Sequence, residues 1–304
     1  MKFNHAAAIL AFAVFCSTTG FAQGFLTNGL VAYYPLNGGA NDESGNMNNG
    51  IVVGAVSTAD KANAAGRAYG FDGAGARIEL PSLYTYSPTN LTFSAWINLR
   101  TLGTRKMIVA KLTGGDTPGN VALEIRDSII VIQFNNGGWH ETRGNSQLAT
   151  NVWYHVAATY DGLDLKVFLN GVEDGNSQYP EGMGVGSIPW MIGVHPSASG
   201  GIYSGFDFDG SIDEVRIHSR ALSERELKDL YAYETEPRPW LSVEVKTVSV
   251  SMHVTPAKRY QLEASRDLSS WILLGEPFVA STAESVQEFN AAGVGRYFRL
   301  QELP

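Results

Sequence analysis

Alternation with a period of two constrains this chain more than any other feature. The segment Leu91–Leu99 puts Leu91, Phe93, Ala95, Ile97 and Leu99 on one face and Trp96 on the other, the pattern of a half-buried strand. Similar short runs recur at 30–36, 51–53, 107–112, 121–125 and 129–134, and at 68–80 around an Asp72-Gly73 turn. Trp153–Tyr160 and residues 165–169 flank Asp161-Gly162, and Asn170-Gly171 follows; both dipeptides are hairpin signals. Residues 188–193 read as an edge strand because of Pro189. The helical signal lies at residues 223–233, where Ser223 and Glu226 form an S-x-x-E capping box ahead of Leu227 and Leu230. Thirty-three glycines in 304 residues suit many tight turns more than helices. Together these features predict an all-β antiparallel sandwich.

The ends of the chain read differently. Met1-Lys2, an apolar run over 6–15 and Gly20-Phe21-Ala22 form the pattern of a signal peptide over residues 1–22. Phe15 before Cys16 departs from a lipoprotein signal, so the reading is soluble export, secreted or periplasmic. Cys16 is the only cysteine, so the mature chain would have no disulfide and must rely on its core. No other stretch is long and apolar enough to span a bilayer, so no membrane insertion is expected after signal removal. Lys and Arg number 22 against 30 Asp and Glu, a net charge of −8 without a basic run. That balance argues against nucleic acid and anionic membranes as partners. Residues 235–239, with two prolines, read as a linker. Strand patterns at 241–246, 248–254, 260–264, 271–274, 286–289 and 297–300 then predict a small second β domain over 240–304.

The order of the motifs adds a resemblance. Residues 30–36 (LVAYYPL), 41–46 (NDESGN), 68–73 (AYGFDG), 93–97 (FSAWI), 153–157 (WYHVA), 168–171 (FLNG), 210–215 (GSIDEV) and 221–227 (ALSEREL) occur in one series. Over residues 28–234 the chain resembles the laminin-G-like jelly-roll domains of the concanavalin A-like lectin/glucanase superfamily. The resemblance implies a two-sheet antiparallel jelly roll with its first and last strands adjacent. The tail, at 260–271, resembles short β domains that end exported proteins of Verrucomicrobia-like bacteria, and a fibronectin-III-like sandwich is the expected architecture there.

Three chemistries are open. Calcium takes several oxygen ligands, and the 41–50 loop offers Asp42, Asn46 and Asn48. By alternation Asp213 shares a face with Val215 and Ile217, while Glu214 faces away. The resemblance implies a structural Ca²⁺ joining Asp42, the backbone of Asn48 and Asp213. The competing reading is an Asx-turn at Asp42 and a hydrogen-bonded carboxylate at Asp213. For carbohydrate, aromatic rings in loops or edges would stack on sugars; Trp139, His140, Tyr179, Trp190 and Tyr203 qualify, with His195 beside them. Local packing under long loops is the competing reading for each of them. Trp96 and Trp153 read as core. Catalysis has no pattern: Arg126 stands where a hydrolase carboxylate pair starting at Glu124 would need an acid, and no G-x-S-x-G occurs. No catalytic residues are assigned. The expected function is non-catalytic binding of a glycan or polysaccharide. The alternatives are adhesion to a surface protein and a divergent glycoside hydrolase.

Overall fold

The computed structural model describes residues 24–103, 105–235, 247–265, 270–290 and 297–303. The signal segment with Cys16, linker residues 236–239 and the strand expected over 241–246 lie outside the described residues. The chain divides into two compact units, Met1–Pro237 and Arg238–Pro304.

The strands of the first unit are β1 (Leu30–Tyr34), β2 (Ile51–Val53), β3 (Val56–Thr58), β4 (Ala68–Asp72), β5 (Arg77–Glu79), β6 (Leu91–Leu99), β7 (Arg105–Lys111), β8 (Val121–Arg126), β9 (Ile129–Asn135), β10 (Trp139–Arg143), β11 (Trp153–Tyr160), β12 (Asp164–Leu169), β13 (Val172–Gln178), β14 (Trp190–Ile192), β15 (His195–Pro196), β16 (Ile202–Tyr203) and β17 (Asp209–His218). One sheet runs β13-β12-β11-β6-β17-β4-β3, with β1 also paired to β17; the other runs β10-β9-β8-β7-β14-β5-β2. First and last strands are neighbours, Tyr34 opposite Val215 and Ala32 opposite Ile217. This is the expected antiparallel sandwich. The inward residues of β6 meet Ile108, Leu123, Ile132, Phe134, Val156 and Trp190 in one core. Burying each large apolar side chain contributes about 1.5–3 kcal/mol, so stability without disulfides has an evident source.

The capping box forms as the sequence predicts. Ser223 N donates to Glu226 Oε2 at 2.8 Å and Glu226 N to Ser223 Oγ at 3.3 Å, opening the helix Glu224–Thr235. Leu227 and Leu230 of this helix pack with Ala157 and Phe168 on the outer face of the eight-stranded sheet.

Local readings fail in four places. The Asp72-Gly73 turn joins two sheets, since β4 pairs with β17 and β3 while β5 pairs with β14 and β2. The strand after Pro189 is interior, held between β7 and β5; Pro189 precedes its first paired residue and therefore removes no ladder bond. Trp139 and His140 lie in an edge strand instead of a loop. The fourth failure is a β-bulge in β17. Asp213 pairs with Trp96 and Arg216 with Ser94, so Glu214 and Val215 together face Ala95. Glu214 carries the strain, with φ at 52°. Ile212 points inward before the bulge, and Val215 and Ile217 after it. Asp213 therefore faces outward with Trp96, correcting the alternation reading.

In the second unit β18 (Thr247–His253) pairs with β21 (Glu284–Asn290), and β19 (Arg259–Ser265) lies between β20 (Ile272–Val279) and β22 (Tyr297–Leu303). Met252, Val254, Tyr260, Leu262 and Ala280 form its small core.

Candidate functional site

The outer face of the seven-stranded sheet holds a concavity of about 550 Å³. Strand alternation supplies its floor. On β8 Leu123 and Ile125 enter the core, while Glu124 and Arg126 face outward. Glu124 is fully buried beneath the floor. It accepts Arg105 Nε at 3.0 Å, Arg105 Nη2 at 2.7 Å and Arg126 Nε at 2.9 Å. Arg126 also donates to Glu141 Oε2 at 2.7 Å and Gln133 Oε1 at 3.2 Å, and Arg143 reaches Glu141 at 2.8 Å. Burial works to raise the Glu141 carboxyl, but the Arg143 hydrogen bond and the Arg126 charge outweigh it and hold it below the usual range. The floor is a lattice of guanidinium and carboxylate groups that fix one another.

Two half-exposed rings stand over that floor, Trp139 at 44% and Tyr203 at 43% exposure. One loop seats both. Asp116 Oδ1 accepts Trp139 Nε1, and Tyr203 lies so close on Gly114 that a Cβ there would come within 2.1 Å of the ring. Gly114 also has φ of +82°, a conformation that favours glycine. Buried Lys111 anchors the region, donating to Ser87 Oγ at 2.8 Å, Gly119 O at 3.0 Å and Gly186 O at 2.6 Å. Burial pulls its pKa down to about 8. Tyr203 belongs to the β15–β16 hairpin, where it meets His195 edge-on at 5.2 Å. His195 Nδ1 sits 2.7 Å from Pro196 O; a carbonyl only accepts, so Nδ1 carries the hydrogen. Burial lowers the pKa of His195, which leaves Nε2 as an acceptor in a groove-lining ring.

Of the residues singled out from sequence, Trp139, Tyr203 and His195 line this groove. Trp190 does not: it is 1% exposed, packed against Tyr86 and Phe93 with Nε1 donating to Tyr86 O. His140 alternates with Trp139 and turns inward, stacking on Phe134 at 5.0 Å and meeting Tyr179 at a tilt at 4.7 Å. Tyr179 donates its hydroxyl to Glu141 O at 2.7 Å. These two buttress β10 from its inner side. Sequence reasoning missed Arg105, Asp116, Arg126, Gln133, Glu141 and Phe206. The trace that could have found four of them is polar residues at alternate positions on β7 to β10.

The residues expected to hold calcium have different partners. Asp42 Oδ1 accepts the N–H of Tyr33 and of Ser44, and Oδ2 accepts Ser44 Oγ and Asn48 N, all within 2.9 Å. Burial opposes ionisation, but the Tyr33, Ser44 and Asn48 donors hold its pKa below the usual value. Each oxygen already accepts two bonds, and Asn48 O accepts Tyr34 Oη at 2.7 Å. No acceptor capacity on Asp42 remains for a bridging cation. Asp213 accepts Glu214 N at 2.9 Å and stands 3.9 Å from Lys61 Nζ. Burial, then the Glu214 charge, raises its pKa to about 8. Among the described residues no group of three or more acidic, His or Cys side chains is arranged for a metal. As arranged here, Asp42, Asn48 and Asp213 do not fit one calcium ion.

The bulge instead builds a buried ionic cluster beneath the helix Glu224–Thr235. Glu234 accepts Trp96 Nε1 and Arg216 Nε, each at 2.8 Å. Glu214 accepts Tyr33 Oη and Arg216 Nη2, and the Arg216 guanidinium lies 3.5 Å from the Tyr33 ring centre. Asp213 and Glu214 thus serve the same side of the sheet, correcting the reading that set them on opposite faces. The cluster ties the last strand to the helix and stands apart from the groove.

Comparison with known proteins agrees with this architecture. The family described as the concanavalin A-like lectin/glucanase superfamily (Laminin_G_3) matches residues 72–228. Domain 4 of AbnA, an extracellular GH43 arabinanase from Geobacillus stearothermophilus solved with arabinotriose, is 24% identical with a TM-score of 0.56. That likeness covers 66% of this chain and 98% of the domain. The binding domain of Paraclostridial Mosquitocidal Protein 1 is 16% identical with a TM-score of 0.54, covering 83% of this chain and 64% of that one. Nothing among curated protein sequences matches the chain.

Proposed function

Because the chain belongs to the concanavalin A-like lectin/glucanase superfamily, we propose that it is an exported, non-catalytic carbohydrate-binding protein whose glycan lies in the groove over β7 to β10. The observation that carries this reading is the pair of half-exposed rings, Trp139 and Tyr203, seated by one loop over a fixed polar floor. Aromatic faces take the C–H faces of sugars, and oriented donors and acceptors select their hydroxyls. A cavity of about 550 Å³ falls within the roughly 300–1,000 Å³ range of small-ligand sites. The arabinotriose held by the arabinanase domain supports the same ligand class.

The carboxylates argue for binding without hydrolysis. A glycosidase needs one carboxyl kept protonated as an acid and a second free to act as base or nucleophile. Here Glu124 is taken up by two guanidinium groups and Glu141 is held ionised. The signal pattern over 1–22 supports export, and no helix among the described residues is long and apolar enough to cross a membrane. The 41–50 loop is held, in this reading, by the hydrogen bonds converging on Asp42 instead of by calcium.

A glycan array probed with the natural chain, then with Trp139→Ala and Tyr203→Ala, tests the proposal. Both rings are half exposed, so the variants should fold and lose affinity by tenfold or more. A flat array, or binding indifferent to both substitutions, refutes the reading; capture of a surface protein instead would favour adhesion.

A further inference from the structure

The charges around the groove narrow the class of glycan. Resting on the carbohydrate reading above, we infer that the groove selects neutral glycans and discriminates against those bearing uronate, sialate or sulfate. Arginines in a sugar site would ordinarily suggest an acidic ligand. Here both lining arginines already have their Nε and Nη2 donors engaged by a carboxylate. Arg105 directs Nε and Nη2 to Glu124. Arg126 directs Nε and Nη2 to the same carboxylate and Nη1 to Glu141. An incoming anion that took the Nε–Nη2 edge of either arginine would displace Glu124, leaving it buried with fewer partners.

The solvent-facing charges of the groove point the same way. Asp116 lines it beside Trp139 and is held by the neutral indole N–H, whereas Glu141 is matched by Arg126 and Arg143. A carboxylate not paired with a cation, about 4 Å from an anionic substituent, would weaken binding roughly fivefold even in water. Asp116 supplies one such encounter. A neutral glycan meets no such cost. Its hydroxyls can donate to Asp116, Glu141 and His195 Nε2 and accept from Gln133, while its C–H faces lie on Trp139 and Tyr203. Carboxylates that already hold arginine are rigid acceptors, and rigid acceptors lose little freedom on binding.

The experiment compares neutral and acidic forms of one scaffold by calorimetry on the full chain at low and moderate salt. Probes are arabinotriose, xylotriose and cellotriose, glucuronic acid-substituted xylotriose, and trigalacturonate as free acid and as methyl ester. The expected result is that neutral probes bind and that the acidic form of a bound scaffold binds about fivefold more weakly. Asp116→Asn keeps the acceptor for Trp139 and should shrink that ratio by threefold or more, whereas Trp139→Ala should weaken all bound probes together. If acidic probes bind as well as or better than neutral ones and weaken with salt, this inference falls while the carbohydrate reading stands. If no probe of either class binds, both fall.

Discussion

Asp213→Asn should stabilise this protein, and the gain should grow with pH. Asp213 is 2% exposed, and burial together with the Glu214 charge raises its pKa from 3.8 to about 8. The sign follows from which state holds the proton. Below pH 3.8 the carboxyl is protonated in both states and costs nothing. Between 3.8 and about 8 the folded state holds a proton that the unfolded state has released, so stability falls as pH rises, by about 1.4 kcal/mol per unit. The ceiling above pH 8 is therefore roughly 6 kcal/mol. Asparagine keeps the acceptor for Glu214 N, which lies 2.9 Å away, and the attraction of Lys61 at 3.9 Å is already contained in the raised pKa. Relaxation and water entry around the ionised group remove much of the ceiling. We expect a net gain of about 1–3 kcal/mol at pH 8.5, shrinking toward zero near pH 4. In a domain of this size that is several degrees in Tm, at roughly 2–4 °C per kcal/mol. Urea and thermal unfolding of both proteins across that pH range, followed by tryptophan fluorescence, give the difference directly. A variant less stable at every pH would refute the reasoning. So would calcium raising the Tm of the natural chain but not of the variant, since Asp213 would then be an ionised cation ligand.

Other outcomes follow from the same contacts. Arg216→Met leaves Glu214 and Glu234 buried without their shared cation, so it should cost about 3–5 kcal/mol at pH 8 and less at pH 5; a loss under 1 kcal/mol in urea unfolding would count against the cluster. Gly114→Ala should drive Tyr203 off its seat, lowering glycan affinity at least threefold with a stability loss of about 1 kcal/mol, read by calorimetry and thermal melts. Burial, aided by Arg216 and Lys61, lowers the pKa of His155 to about 3. The unfolded state therefore binds the extra proton between pH 6.5 and 3, and this residue should subtract stability as pH falls through that window. His155→Phe, whose ring takes no proton, should flatten that acid slope in pH-dependent unfolding.

The sequence by itself determined the layers of this protein. Period-two alternation, Asp-Gly and Asn-Gly turns and the Ser223 capping box are local signals, and each acts through neighbours a few residues away. They were enough to identify the antiparallel sandwich, its β6 core face and its closing helix. Tertiary structure decided which strands lie inside and which outward residues meet. Trp190 looked exposed because a proline precedes it, yet long-range pairing with β7 and β5 buries it. The groove gathers side chains from β7 to β10, the Gly114–Asp116 loop and the β15–β16 hairpin, about a hundred residues apart at the extremes, and no local pattern encodes that meeting. Asp213 marks the boundary between the two kinds of information. The spacing of three between Ile212 and Val215 is visible in the sequence, but only the pairing with β6 shows that the extra residue is a bulge at Glu214. One inserted residue moves every preceding side chain to the other face. The carboxylate read as half of a metal staple thus faces outward instead, beside Lys61 and the Glu214 N–H.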